Sequence, residues 1–484
     1  MSLPTAPKTP WPPPDAAPKD IAVWRAFYAG DEPQAKAGVG PAASRFRRFF
    51  SRKWRQDNPE QTKARDISAC LAGEIAQASA DLLFGDAPDF GFAEGSKAAQ
   101  RLDELLEESG GINALLEAAE VCAALGGGYI RASWDTEVSD TPFLTALYPD
   151  EAVPEFAYGR YLRAVTFFHE LPSDRKDRVV RHLERHEKGV ILHGLYLGDS
   201  ATLGEQMPLA ARPETEKLDE AVELPDALVR DVWYVPNVKP LRSAPHSPHG
   251  RADIQGAESF LAALDLTYSS LLRDIDLGKA RILVPSEALK PAERGGGRGS
   301  GKTFDLDEEI FTELDGMDPE SGVGITTYQP DIRTQAHIDA ALTWIERVIS
   351  AAGYSPQTFG LRIEGRAESG TALRIREGKT AKTIARKQRY WAPTLAAASE
   401  ALLVIDRDVF GRPTEVRRPT IAWPEEQQTQ AELADTLELL RRAEAISIET
   451  AVRRAQPELD EEKLAAEVER IRQENGSLVP EPAF

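Results

Sequence analysis

Between residues 331 and 405 two helical patterns flank a glycine-rich loop, and this arrangement limits the folds open to the chain more than any other stretch. Ile332, Ala336, Leu342, Ile345, Val348 and Ile349 recur at helical spacing behind Pro330 and a candidate cap at Asp331, predicting a helix over 331–352. Gly353 stops it. A second helix is expected from Thr371. It carries Arg374, Arg376, Lys379, Lys382, Arg386, Lys387 and Arg389 ahead of an apolar half at 395–405, with a kink at Pro393. The loop, GYSPQTFGLRIEGRAESG, contains Gly353, Gly360, Gly365 and Gly370 and the alternating charges Arg362, Glu364, Arg366 and Glu368. It is too charged to be core and too long for a simple connection.

A chain of 484 residues with 42% hydrophobic content can bury a large core and is expected to form two or more domains. It has no apolar run of membrane-spanning length and no secretory signal, so it is expected to be made and kept in a cytoplasm. Cys70 and Cys122 sit in different apolar helical patterns and read as buried, reduced thiols; no metal cluster or cofactor is suggested. The net charge of −20 argues against a free-standing binder of phosphate backbone. It does not argue against a conduit, because an acidic wall leaves DNA hydrated and mobile.

Residues 1–19 are proline-rich without periodicity, predicting an arm that is disordered or lies on the surface. Asp20 then caps a short helix with Ile21, Trp24 and Tyr28 on one face. The run SRFRRFFSRKWR at 44–55 interleaves bases with aromatics, which suits either nucleic acid or a basic surface whose aromatics pack inward or against a neighbouring subunit. Helices are expected at 66–85 and 112–125, and Gly126, Gly127 and Gly128 lead into a strand at 129–134. Further strands at 143–148, 161–169, 179–187 and 190–197 make an antiparallel meander attached to helices, an α+β arrangement. His182 and His186 could ligate metal on a helix, but here alternation puts them with Glu184 on one strand face, expected to be solvated. Residues 198–230 read as acidic loop, and 232–237 end the meander.

Asp253 is read as the cap of a helix over 253–277, about 35 Å long. Strands are expected at 280–284 and 323–328, with an acidic strand or turn at 308–314. Within this stretch, residues 296–303 satisfy the phosphate-loop pattern G-x-x-x-x-G-K-[ST] through Gly296, Gly301, Lys302 and Thr303. Phosphate binding needs that loop between a buried strand and a helix N-terminus, whereas KPAER precedes it and the acidic FDLDEEIFTELDG follows. The run 402–406, ending in Asp406, imitates a Walker B strand inside a helical pattern. The match is therefore expected to be non-functional, with no catalytic residues and no enzymatic activity. Towards the end come a short strand at 419–424, a helix at 425–445, a turn of helix capped by Ser447, a last helix capped by Asp460 and a frayed tail at 477–484.

Several runs together resemble the portal proteins of long-tailed bacteriophages, of the type common in actinobacterial phages. They are AGYSPQTFGL with SGTAL and RYWAPTL, LPDALVRDVWYVPN leading into GRADIQGAESFLAALD, and AISIETA with PELDEEK. The resemblance covers nearly the whole chain. It implies an α+β wing at 20–252, stem helices at 253–278 and 331–352, a small β-rich clip at 279–330 and a tunnel loop at 353–370. A long helix returning to the wing at 371–424 and an α-helical crown at 425–484 complete the plan. It implies that Gly360, Arg362, Glu364, Gly365, Arg366, Glu368 and Gly370 face DNA, with a basic contact surface at Arg374, Arg376, Lys379, Lys382 and Arg386. A ring of twelve subunits at one capsid vertex would conduct double-stranded DNA inward and outward. Its implied partners are the terminase large subunit, the major capsid and scaffolding proteins and a head-tail adaptor, with no membrane. The implied location is the virion, with assembly in the host cytoplasm. Two other classes stay open: a P-loop ATPase of DNA packaging, and a monomeric DNA-binding protein using 45–55 and the basic helix.

Overall fold

Helices with one apolar face and strands with alternating burial set the architecture of the chain, which divides into the units Met1–Ile421 and Ala422–Phe484. The computed structural model describes residues 3–30, 67–173, 177–278, 281–283, 290–291, 302–303, 326–328, 331–361, 370–424, 430–443, 445–456 and 460–477. The basic run 44–55, the expected strand at 308–314, the tail 478–484, Gly296, Gly301 and residues 362–369 lie outside them.

In the first unit, helix α1 (Ile21–Tyr28) buries Trp24 and Phe27. Helix α2 (Leu71–Phe84) buries Ile75, Ala76, Ser79, Ala80 and Leu83 along one face. Helices α3 (Ala98–Glu108), which the sequence reading did not anticipate, and α4 (Gly111–Leu125) follow. Ala76, Val121, Ala124 and Leu125 form a shared core under Ile21 and Tyr28. Gly126 ends α4 at φ +87, and a Cβ there would lie 2.9 Å from the backbone of Arg251 and Ala252. Only glycine lets the chain turn there into strand β2 (Gly127–Ser133).

Strand β2 lies between β3 (Phe143–Leu147) and β10 (Val232–Pro236), all antiparallel. A larger sheet runs β4 (Ala152–Ala157), β5 (Tyr161–Leu171), β6 (Val179–Glu187), β7 (Val190–Gly198), then β8 (Glu205–Met207). Strand β9 (Ala221–Glu223) also pairs with β7, at its other end. Tyr129, Phe167, Val165 and Val232 bury the seam between the two sheets, with the rings of Tyr129 and Phe167 edge to face at 5.3 Å. Strand β1 (Asp89–Gly91) pairs with β15 (Thr420–Ala422).

Three sequence expectations are corrected here. The proline-rich arm is not disordered over its described residues: Trp11 is buried against Leu183, Tyr196 and Leu203, and Trp11 N, Leu203 N and Gly204 N bond across to Ala201 O, Thr9 O and Pro7 O. Without periodicity the arm forms no element of its own, but its apolar side chains and free carbonyls dock on the sheet. Cys122 is buried, whereas Cys70 is exposed. Helix α2 starts only after Cys70, because Ala69 N donates to Asp265 Oδ1 at 2.8 Å and Ile67 N to Ser269 Oγ at 3.1 Å, holding 67–70 out of the helix.

The third correction concerns the histidine face of β6, which is a polar layer under the second sheet rather than a solvated surface. His186 is 3% exposed and meets Asp231 Oδ2 through Nδ1 at 2.7 Å. Glu184 takes both its hydrogen bonds from Arg131 Nη1 at 3.1 Å, and the His182 and His193 rings stack 5.3 Å apart. Burial alone would lower the His186 pKa, but Asp231 and Glu184 outweigh it and raise the value from 6.5 to about 9. Because the folded value lies above the unfolded one, this contribution is fully present below about pH 6.5 and is lost as pH rises through about 9. Thermal unfolding of the protein should therefore show a loss of stability on the order of 3 kcal/mol across that window. His186→Asn should flatten the slope; parallel profiles for the two proteins would refute the assignment.

Two helices then form an antiparallel pair, α5 (Glu258–Leu277) and α6 (Thr334–Ala352). Phe260 stacks on Trp344 with ring centroids 6.0 Å apart, and at the far end Asp274 accepts from His337 at 3.0 Å and Arg333 at 3.2 Å. Between them the described residues form the two-stranded pairs β11 (Arg281–Leu283) with β14 (Thr326–Tyr328), and β12 (Lys290–Pro291) with β13 (Lys302–Thr303). Helix α7 (Gly370–Asp408) is about 58 Å long and continues through Pro393. Its second half buries Trp391, Leu395, Ala398, Leu402 and Ile405, with Trp391 edge to face on Phe84 at 5.0 Å.

The second unit contains α8 (Gln430–Arg442), α9 (Ile448–Ala455) and α10 (Glu461–Ser477). Val452, Leu464 and Val468 make its core. Ser447 Oγ accepts from Thr450 N at 3.1 Å and Asp460 Oδ1 from Lys463 N at 2.9 Å, the two caps the sequence indicates.

Candidate functional site

The glycine-rich loop leaves α6 through a tight stop. Gly353 adopts φ +100, Tyr354 N reaches back to Ile349 O at 3.1 Å and Gly353 N to Ser350 O at 3.3 Å. A Cβ at Gly353 would lie 2.9 Å from Thr383 Oγ1, which itself donates to Gly353 O at 2.7 Å. One 3₁₀ turn, Pro356–Phe359, follows and ends at Gly360 with φ +71. Thr380 holds this turn from α7: its Oγ1 accepts from Ser355 N at 2.9 Å and lies 2.9 Å from Thr358 Oγ1. Lys379 Nζ donates to Ser350 O at 2.6 Å. The loop's entry is thus fastened to the helix that begins at its exit.

Beneath this root lies a buried ionic cluster. Lys387 is 0% exposed and places its three N–H donors on Asp253 Oδ2 at 2.6 Å, Ser79 Oγ at 2.6 Å and Tyr354 OH at 2.9 Å. Tyr354 OH in turn donates to Asp253 Oδ2 at 2.8 Å, and Asn237 Nδ2 donates to Asp253 Oδ1 at 2.7 Å. Burial pushes the lysine pKa down and Asp253 opposes that shift; burial drives the Tyr354 phenol well up. Every donor of the lysine is used and both aspartate oxygens accept. Isolated burial of either charge would be very costly, so the pair holds only because all its partners are present. The cluster joins α2, the end of β10, the approach to α5, the loop root and α7 into one unit.

This arrangement corrects two sequence readings. Asp253 does not cap a helix, because its carboxylate is committed to Lys387, Tyr354 and Asn237; α5 begins at Glu258 behind Ala257, after Gly256 at φ +89. Lys387, which the sequence groups with the other cations along this helix, is buried. It occupies the buried stripe Thr380, Ile384, Lys387, Trp391 and Leu395, so the signal was a cation at an apolar position of the helical period. Helix α6 likewise starts at Thr334 rather than at the Asp331 cap.

The expected site residues separate as follows. Gly360 ends the anchored turn and Gly370 opens α7, while Arg362, Glu364, Gly365, Arg366 and Glu368 lie outside the described residues. Lys382 and Arg386 are exposed, Lys379 spends its amine on Ser350, and the side chains of Arg374 and Arg376 are outside the described set. Lys302 and Thr303 sit in β13, paired antiparallel with Pro291 and Lys290, a strand where a phosphate loop requires the first turn of a helix. Asp406 is 0% exposed and takes Arg101 through Nε and Nη2 at 3.0 Å each, Arg412 at 3.1 Å and the Thr414 hydroxyl. No lone pair of Asp406 is left for a metal-bound water.

Helices α5 and α6 expose apolar side chains despite pairing: Leu266 is 50% exposed, Ile275 46%, Ile338 41% and Leu342 43%. Ile338 and Leu342 line one apolar groove with Tyr268 and Leu271. No helix among the described residues is long and apolar enough to cross a membrane.

Residues 215–480, more than half of the chain, match a family model described as phage portal protein, SPP1 Gp6-like. The matched stretch includes the two paired helices, the loop, α7 and the second unit. No curated protein matches the chain.

Proposed function

We propose, because the chain belongs to the phage portal protein family, that it assembles into a closed ring at the unique capsid vertex of a long-tailed phage and conducts double-stranded DNA during packaging and ejection. The paired helices α5 and α6 form the stem, and the exposed Leu266, Ile275, Ile338 and Leu342 carry this reading. A two-helix strut cannot cover such residues by itself, and a neighbour placed by rotation covers them on every subunit at once. The anchored loop between α6 and α7 faces the DNA. The terminase large subunit, the capsid and scaffolding proteins and a head-tail adaptor are the partners such a ring meets, in the host cytoplasm during assembly and then in the virion. Native mass spectrometry of the purified chain is expected to give one large homo-oligomer, twelve-fold by the resemblance. A monodisperse monomer at micromolar concentration overturns the ring.

The ring performs no bond chemistry in this reading. The strand geometry of Lys302 and Thr303 and the arginine-saturated Asp406 argue against a nucleotide site built from the phosphate-loop match. Calorimetry with ATP and magnesium should register no binding, and Lys302→Ala should leave DNA packaging unchanged. Micromolar affinity abolished by that substitution would restore the ATPase reading.

A further inference from the structure

Strands β4 and β5 are joined by the three residues Tyr158, Gly159 and Arg160, in a turn centred on Tyr158-Gly159 and closed by Arg160 N donating to Ala157 O at 3.2 Å. Both turn residues are left-handed, Tyr158 at φ +50 and Gly159 at φ +66. In such a turn asparagine or glycine is cheap, whereas a bulky aromatic is strained. Tyr158 is nevertheless present, and it is 96% exposed, so its own fold gives it almost nothing to pack against. A local rule broken without an internal gain points to a gain made elsewhere. Around it stand Tyr161, 59% exposed with the Arg160 guanidinium 4.9 Å over its ring, and the exposed Arg163 two residues further along β5. Among the described residues neither arginine has a carboxylate partner. Tyrosine and arginine at a protruding tip have the composition of interface anchors.

The opposite edge of the same sheet has the complementary character. Residues 212–223 run along the outer side of β7 into β9 and expose Glu214, Glu216, Asp219, Glu220 and Glu223 around Leu218, itself 37% exposed. None of these carboxylates has a cation partner among the described residues; Lys217, within the run, pairs with Glu137 instead. The strip is fixed in place, since Thr215 is buried with its hydroxyl on Leu209 O at 2.6 Å. The tip and β9 also lie at the same end of the strands: Val165 pairs with His186, Glu187 with Val190, and Val190 with Glu223.

We propose that the Tyr158 tip of one subunit docks on the carboxylate strip 214–223 of the next copy. The contact rests on the ring reading above and specifies where it closes. Opposite signs on opposite edges at one height are what a head-to-tail rotation about an axis along the strands brings together. The strip's five carboxylates, on a chain of net charge −20, also favour a second copy over nucleic acid as the occupant of the basic tip.

The test uses the full chain and native mass spectrometry at stepped protein concentrations. Arg160→Glu with Arg163→Glu should raise the concentration for half-assembly by about tenfold, roughly 1.4 kcal/mol, and Glu216→Lys with Glu220→Lys should do the same. Combining all four changes in one chain should bring assembly back towards the wild-type value. Tyr158→Asn should weaken the ring while leaving the melting temperature of the separated subunit unchanged or higher, a result that a purely structural role for the tyrosine does not give. Unaltered assembly in the charge variants, or no recovery in the combined one, overturns this contact and leaves the ring standing. A monomeric wild type overturns both. Duplex DNA binding that disappears with Arg160→Glu and Arg163→Glu would hand the tip to nucleic acid and overturn the subunit contact.

Discussion

Lys387→Met is expected to destabilise the unit Met1–Ile421 by about 3–5 kcal/mol, among the largest effects of any single substitution in the chain. Methionine has nearly the length and volume of the lysine stem, so little packing is lost. What remains is Asp253 with its negative charge buried and its strongest partner gone, and Tyr354 and Ser79 deprived of a donor. Asp253→Asn should cost a comparable amount by leaving the lysine charge uncompensated. The double variant should recover much of the loss, because the amide still accepts one hydrogen bond and no charge is left alone. Chemical denaturation of the four proteins measures the cycle. Small, additive losses would show that the cluster is hydrated and that the loop root does not depend on it.

The halves of this cluster were unequally legible in the sequence. Asp253 stands where a cap belongs, three residues ahead of Gly256, and nothing local reports that its carboxylate turns inward; that choice is made by Lys387 and Tyr354, more than 100 residues away. Lys387 was readable, because it interrupts an apolar stripe from Ile384 to Leu395, but it sits among six other cations and was counted with them. The elements themselves were legible where one face is apolar: β6 occupies Val179–Glu187 as its alternation predicts, and both caps of the second unit are in place. Alternation gave the phase of His182, Glu184 and His186 correctly but not what covers them, since a second sheet over that face is a tertiary fact. The phosphate-loop pattern falls partly on strand β13 instead of a helix N-terminus for the converse reason. It describes eight residues, and the chemistry belongs to the strand and helix on either side.

Deleting residues 361–369 and closing the gap with glycines should abolish DNA packaging or retention while leaving the ring and the subunit's stability nearly intact. The described loop root supports both halves of that expectation. Gly353, Tyr354, Ser355 and Thr358 are held by Thr383, Asp253, Lys387 and Thr380, and all of these lie outside the deleted segment. The new linker therefore starts from an anchored Gly360 and rejoins α7 at Gly370 without disturbing a buried bond. The deletion does remove Arg362, Glu364, Arg366 and Glu368. In the proposed ring, two cations beside two carboxylates would offer DNA contacts that salt screens within about 8–10 Å, so that a moving duplex is followed without being gripped. A ring lacking them should still assemble and should hold DNA poorly, read by nuclease protection of packaged genomes beside native mass spectrometry of the same preparation. Rings that fall apart on deletion, or particles that package at wild-type levels, would each remove the loop from the path of the DNA.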